Sequence, residues 1–209
     1  MTFAGNRETI ETAVKQILIA LGEDPARDGL AQTPARVAEN LAQMCAGVGA
    51  DALQCFAKTL PVENAVAQTV AVREIAFSSL CEHHLMPFYG TVAVAYLPRH
   101  RLAGLGSVAA AIEVLAAKPQ LQERFNAELV NAVQQGLQTR GVLAVVTARH
   151  GCLSDRGAKA REATLTTVAA SGELTSGELR AEALTLLGFS AGEVTGGEKT
   201  TNKPLRELL

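Results

Sequence analysis

Two short segments hold five of the eight cysteines and histidines in this chain. They are Cys81-Glu82-His83-His84 and His150-Gly151-Cys152, with 67 residues between His84 and Cys152. Two thiolates and an imidazole are the soft and borderline donors that hold Zn²⁺, and three protein ligands leave the fourth tetrahedral position open for water. That is the ligand count of a catalytic rather than a structural zinc site. Cys45 and Cys55 have no histidine near them in sequence, so no second Cys/His pair is on offer. A single Cys-x-x-His is weak evidence, because a buried cysteine usually serves as a small hydrophobe. Here three of the four histidines fall in the two segments, and only His100 lies elsewhere.

The elements that must position these residues show in the hydrophobic pattern. Val142 to Ala148 is a β-branched run that predicts a strand. If that strand runs on through Cys152, the period of two puts His150 and Cys152 on one face. Thr69–Ser78 and Gly90–Leu97 predict strands on either side of the first segment, which then caps a strand end. Val108, Ala111, Ile112 and Leu115 predict one helix, and Leu121, Phe125, Leu129 and Val133 predict the next, with Pro119 between them. Leu165–Ala170 supplies the last strand. Upstream, Ile10, Ala13, Val14, Ile17, Leu18 and Leu21 follow the helical period to about Gly22. Thr33, read as an N-cap before Pro34, opens a second helix that carries Val37, Leu41 and Met44 to about Gly47. The order predicts an α+β fold, an antiparallel sheet with helices on one face and an N-terminal helical appendage. The expected division is an appendage over 1–60, a zinc-binding domain over 61–188 and a flexible tail over 189–209.

At 209 residues, 48% hydrophobic and 19% charged, the chain can bury a full core. A formal charge of −2 gives no basic footprint for nucleic acid or for an anionic membrane, so neither is an expected partner. Residues 1–6 lack the basic and apolar regions of a signal peptide and no 18-residue apolar run occurs, which predicts a cytoplasmic protein. A reducing compartment suits free thiolates.

Several separated motifs, in order, resemble the zinc-dependent GTP cyclohydrolase I family. They are Gly22-Glu23-Asp24-Pro25-Ala26-Arg27-Asp28-Gly29-Leu30 with Thr33-Pro34-Ala35-Arg36, then Cys81 to Phe88, Gln120 to Arg124, and His150 to Gly157. The resemblance implies the tunnelling fold, in which subunits join their sheets into a pentameric barrel and two barrels stack as a decamer. It implies a reaction that opens the guanine imidazole ring at C8, releases formate and recloses the ribose carbons into a dihydropterin. Zinc would supply hydroxide at physiological pH. By the same resemblance Cys81, His84 and Cys152 are the metal ligands. His150 moves protons at the imidazole, and His83 serves the later hydrolysis and ribose steps. Gln122 and Glu123 read the purine, and Arg36 and Arg156 hold phosphate.

This sequence departs from the family pattern at the phosphate end. Where the family has Gly-Leu-Ser-Lys followed three residues later by Arg, this chain has Gly104-Leu105-Gly106-Ser107 and Ala110, and Glu39 stands at a lysine position. Charge-assisted hydrogen bonds to phosphate are worth ~1.5–3 kcal/mol each, so three lost cations weaken a triphosphate grip considerably. Three readings stay open: GTP as substrate, a related purine nucleotide or nucleoside with fewer phosphates, or a non-catalytic zinc-binding paralogue. The spare imidazoles and the base-reading pair favour an enzyme, with GTP leading.

Overall fold

Strand alternation and helix period meet in one layered core. The computed structural model describes residues 3–62, 68–155 and 160–189. The strands are β1 (Thr59–Pro61), β2 (Val70–Cys81), β3 (Pro87–Leu97), β4 (Arg101–Ala103), β5 (Pro119–Gln120), β6 (Gly141–His150) and β7 (Leu165–Gly172). The helices are α1 (Arg7–Ala20), α2 (Thr33–Met44), α3 (Leu105–Ala116), α4 (Gln122–Leu137), α5 (Gly151–Ser154) and α6 (Gly177–Leu186). The main sheet runs β5-β2-β3-β6-β7, antiparallel except for β5, which adds two residues parallel to the end of β2.

On β3 and β6 every second residue faces the same way, so each strand feeds two cores. Val92, Val94 and Tyr96 with Val142, Ala144 and Val146 pack against Val108, Ile112, Phe125, Leu129 and Val133 of α3 and α4. The intervening Ala93, Ala95 and Leu97 with Leu143 and Val145 pack against Ala183, Leu184 and Leu187 at α6 and its end. The α+β reading therefore holds, with α3 and α4 on one face. Helix α6 adds cover to part of the other. A buried Leu or Phe in such a layer is worth roughly 1.5–3 kcal/mol of transfer free energy, which makes the sheet a rigid base for whatever sits at its rim.

Local chemistry sets the element ends differently from expectation in two places. Thr33 is the first residue of α2 rather than its cap: Gln32 takes the N-cap position without a side-chain bond, and the Thr33 hydroxyl reaches back to the Gly29 carbonyl at 3.4 Å. The strand through Val142–Ala148 stops at His150, and Cys152 lies in α5. Helix α2 packs on α1 and touches β2. Ala52 and Phe56, within the stretch expected as an appendage, belong to the main core, where Phe56 fills the space beside Gly136. No helix among the described residues is long and apolar enough to cross a membrane. Residues 190–209, most of the expected tail, lie outside the described residues.

Candidate functional site

The first segment forms the turn between β2 and β3. Cys81, the last residue of β2, accepts the backbone N–H of Leu85 at 2.8 Å and of His84 at 3.3 Å, and its own N–H donates to the Met86 carbonyl at 2.8 Å. This wraps Glu82–Met86 into a tight loop and returns the imidazole of His84 over the Cys81 thiol. Leu85 takes the left-handed conformation, φ 52°, which costs a non-glycine residue about 1–2 kcal/mol.

The second segment reaches the same place by another route. Gly151 is buried where β6 meets β3, and a Cβ there would sit 2.9 Å from the Pro87 carbonyl oxygen. Only glycine admits that approach without a backbone shift. The chain then turns into α5 and carries Cys152 toward Cys81. Cys152 is thus brought to Cys81 and His84 by a helical turn, not by the strand alternation expected to put it on one face with His150.

The donor atoms of Cys81, His84 and Cys152 lie within 4.8 Å of one another. Cys81 Sγ is 3.7 Å from His84 Nδ1 and 3.9 Å from Cys152 Sγ. Tetrahedral zinc, with Zn–S about 2.3 Å and Zn–N about 2.0–2.1 Å, separates two sulfurs by about 3.8 Å and a sulfur from a nitrogen by about 3.6 Å. The donor set and the spacing fit such an ion. The sulfurs are far beyond the ~2.05 Å of a disulfide, and none of the four cysteines forms one.

His150 ends β6, in register with Phe88 on β3, and its ring stacks on the Phe88 ring at 4.6 Å and 3°. Phe77 and Phe125 buttress Phe88: Phe77 meets it edge-on at 5.8 Å and stacks on Phe125 at 4.9 Å. Burial among these rings pushes the His150 pKa below its ordinary value, with the Glu123 carboxylate pulling partly back.

Gln122 opens α4 beneath His150 and is only 1% exposed. Its Nε2 donates to the Val146 carbonyl at 2.9 Å, the Leu165 carbonyl at 3.0 Å and Thr167 Oγ1 at 3.2 Å, while Oε1 lies 2.8 Å from His150 Nε2. These bonds consume the amide. The side chain expected to read the purine edge is thus enclosed and hydrogen-bonded within the protein. Glu123, beside it, is exposed in the first turn of α4, where the positive end of the helix dipole favours a carboxylate. His83 is exposed, its ring centroid 6.1 Å from that of His84.

A charged seam ties the metal loop to the start of α4. Arg124 pairs with Glu82, and its Nε donates to Gln120 Oε1 at 2.6 Å. Gln120 in turn donates to Glu128, which Lys118 contacts at 2.9 Å. Arg36 stands apart from this grouping, exposed on α2 two turns before the Gln43–Met44 end that borders β2. Arg156 lies outside the described residues. Sequence reasoning missed Phe88, Glu82 and Arg124. All three sit in motifs already singled out, and the opposite charges of Glu82 and Arg124 were the available signal for that pair.

A helix-backed antiparallel sheet with a Cys/His/Cys cluster at one strand end and the His150 imidazole beside it defines a tunnelling-fold protein with a candidate catalytic metal centre. The sequence profile described as GTP cyclohydrolase I matches residues 10–188. A GTP cyclohydrolase 1 of Leifsonia xyli subsp. xyli is 46% identical over 186 residues, covering 89% of this chain and 97% of that protein. One from Geobacillus kaustophilus is 42% identical, covering 87% and 97%. One from Bacillus subtilis is 46% identical, covering 74% and 80%. The chain belongs to the GTP cyclohydrolase I family and is a hydrolase of that type.

Proposed function

We propose that this protein hydrolytically opens the guanine imidazole ring of GTP in a zinc-dependent reaction, giving formate and 7,8-dihydroneopterin triphosphate. The observation that carries the reading is the Cys81/His84/Cys152 cluster, with Cys81 Sγ at zinc-like separations from both His84 Nδ1 and Cys152 Sγ, in a protein whose family and relatives are GTP cyclohydrolases. When bound, zinc supplies Lewis acidity and hydroxide at neutral pH.

This chain's own residues do the rest. His150, held flat against Phe88, takes and returns protons at the purine imidazole. His83, exposed on the loop, serves the later hydrolysis and ribose steps. The Glu123 carboxylate accepts hydrogen bonds from the N–H edge of guanine, which discriminates against bases that lack those donors. Arg36 and Arg156 hold phosphate.

A specific observation favours a second reading, a purine substrate with fewer phosphates. Gly106 and Ala110 on α3 border a groove of about 790 Å³ whose lining includes Glu113 and no lysine or arginine. Glu39 is engaged by Arg7 at 2.8 Å, and Lys118 by Glu128. Turnover of GTP, GMP and guanosine, measured side by side, separates the readings. The double variant Ser107→Lys/Ala110→Arg should shift preference toward GTP by tenfold or more, with the gain shrinking as salt rises, because partly exposed charges are screened within about 8–10 Å. Glu39 is best left alone in that variant, since a lysine there would face Arg7. If the wild type already prefers GTP by orders of magnitude and the variant gains nothing, the fewer-phosphate reading fails.

We also infer a ring oligomer, pentamers stacked as a decamer, with Arg36 on its N-terminal helix pair completing a neighbour's site. Light scattering should find a particle many subunits in size; a stable, active monomer overturns the assembly.

A further inference from the structure

Gln122 is the most thoroughly bonded polar side chain at the site, and its surroundings dictate how it points. Around Nε2 stand two backbone carbonyl oxygens and a threonine hydroxyl. Turning the amide over would aim its oxygen at both carbonyls, three acceptors with no hydrogen among them. Asn126, one helical turn on, repeats the pattern: its Nδ2 donates to the Ala144 carbonyl and to Thr167 Oγ1, both at 3.3 Å. The seam between α4 and the β6–β7 pair is thus a row of amide donors facing strand acceptors.

The consequence falls on His150. An amide oxygen only accepts, and it lies 2.8 Å from His150 Nε2. That nitrogen must therefore carry the hydrogen. In a neutral imidazole the other nitrogen, Nδ1, then holds the lone pair. The Phe88 stack fixes the ring plane, and the Gln122 bond fixes which edge faces inward.

We propose that Gln122 is a positioning residue, not a purine reader: its sheet-anchored amide holds His150 in the Nε2–H tautomer and makes Nδ1 the nitrogen that accepts a proton from the substrate. Purine reading then falls to Glu123 alone of the pair. The use of Nδ1 rests on the proton-carrying role proposed above for His150; the tautomer itself does not.

The test uses zinc-loaded protein labelled with ¹⁵N-histidine. Long-range ¹H–¹⁵N correlation spectra distinguish a protonated Nε2 from a protonated Nδ1, and the His150 signals are assigned by their loss in His150→Asn. The wild type should show a protonated Nε2 and a bare Nδ1. A protonated Nδ1 in the wild type overturns the proposal outright, whatever any variant does. Gln122→Met, similar in shape but unable to accept, should give mixed tautomers and lower kcat by roughly ten- to a thousandfold with KM for the purine changed less than about threefold. Unchanged tautomer in Gln122→Met, or a loss confined to KM, contradicts it. Thr167→Val removes one anchor yet leaves the Gln122–His150 bond, so it should keep the wild-type tautomer; scrambling there would show that Gln122 is not the determinant. Were the tautomer fixed as expected while His150→Asn kept full turnover, the catalytic reading of His150 would fall and the tautomer lock would stand.

Discussion

Replacing Cys152 by alanine should strip the protein of its metal. A three-ligand site has no contact to spare. The cluster's remaining pair, Cys81 and His84, come from one turn and would hold an ion at one side only. Zinc held by a full set of protein ligands is worth on the order of 10–16 kcal/mol in small zinc domains, and losing one of three ligands forfeits a large share of whatever this site holds. His84→Ala should behave likewise. Metal analysis of purified protein should find about one zinc per chain in the wild type and next to none in either variant. The sheet core lies behind the rim and does not depend on the ion, so both variants should stay folded by circular dichroism. Full zinc occupancy in Cys152→Ala would remove Cys152 from the ligand set. Acid should act as a milder version of the same change, because thiolates and imidazole must lose their protons to bind metal, so zinc should be released as pH falls.

The second large effect is expected from His150→Ala. This ring is packed on Phe88 and bonded to Gln122 and is not in the ligand cluster, so its removal should leave zinc in place and cut turnover by about 10²–10⁴-fold, the usual worth of a positioned acid–base group. The alanine also leaves a gap against Phe88 and an unpaired Gln122 oxygen, so some loss of stability should accompany it; His150→Asn reduces both. Stoichiometric zinc loss from either variant would instead make His150 a ligand. His83→Ala should keep zinc as well, and its defect should fall in the later steps, which would show as formate released without pterin formation. Equal loss of formate and pterin would remove that division of labour.

Much of this site was legible in the sequence because its signals are local. Cys81 and His84 sit three residues apart in one turn, and the strand of β6 and the core face of α4, Phe125, Leu129 and Val133, follow their periods. What was not legible depends on contacts distant in sequence. Strand periodicity carries through Cys152 only if the strand continues, and what ends it is the approach of Gly151 to the Pro87 carbonyl, 64 residues earlier. The burial of Gln122 has no signal in the sequence; it follows from helix geometry, which sets Gln122 and Asn126 one turn apart over the strand acceptors. Helix α6 escaped notice because its apolar positions, Ala183, Leu184 and Leu187, make too weak a stripe to stand out before the far face of the sheet is known. The short strands β1, β4 and β5 are two or three residues long and carry no period of their own.

The central claim is metal-dependent cleavage at C8 of the purine, and isotope labelling reads it directly. GTP carrying ¹³C at C8 is given to the zinc-loaded protein, to the metal-depleted protein, and to the depleted protein with zinc restored, and the carbon is followed by NMR. The account predicts that with zinc present the label is lost from GTP and appears in equal measure as formate, with none in the pterin product, and that it stays in intact GTP when zinc is removed. Formate released at an undiminished rate from verified metal-free protein, or turnover of GTP with the label retained in the ring, would contradict it.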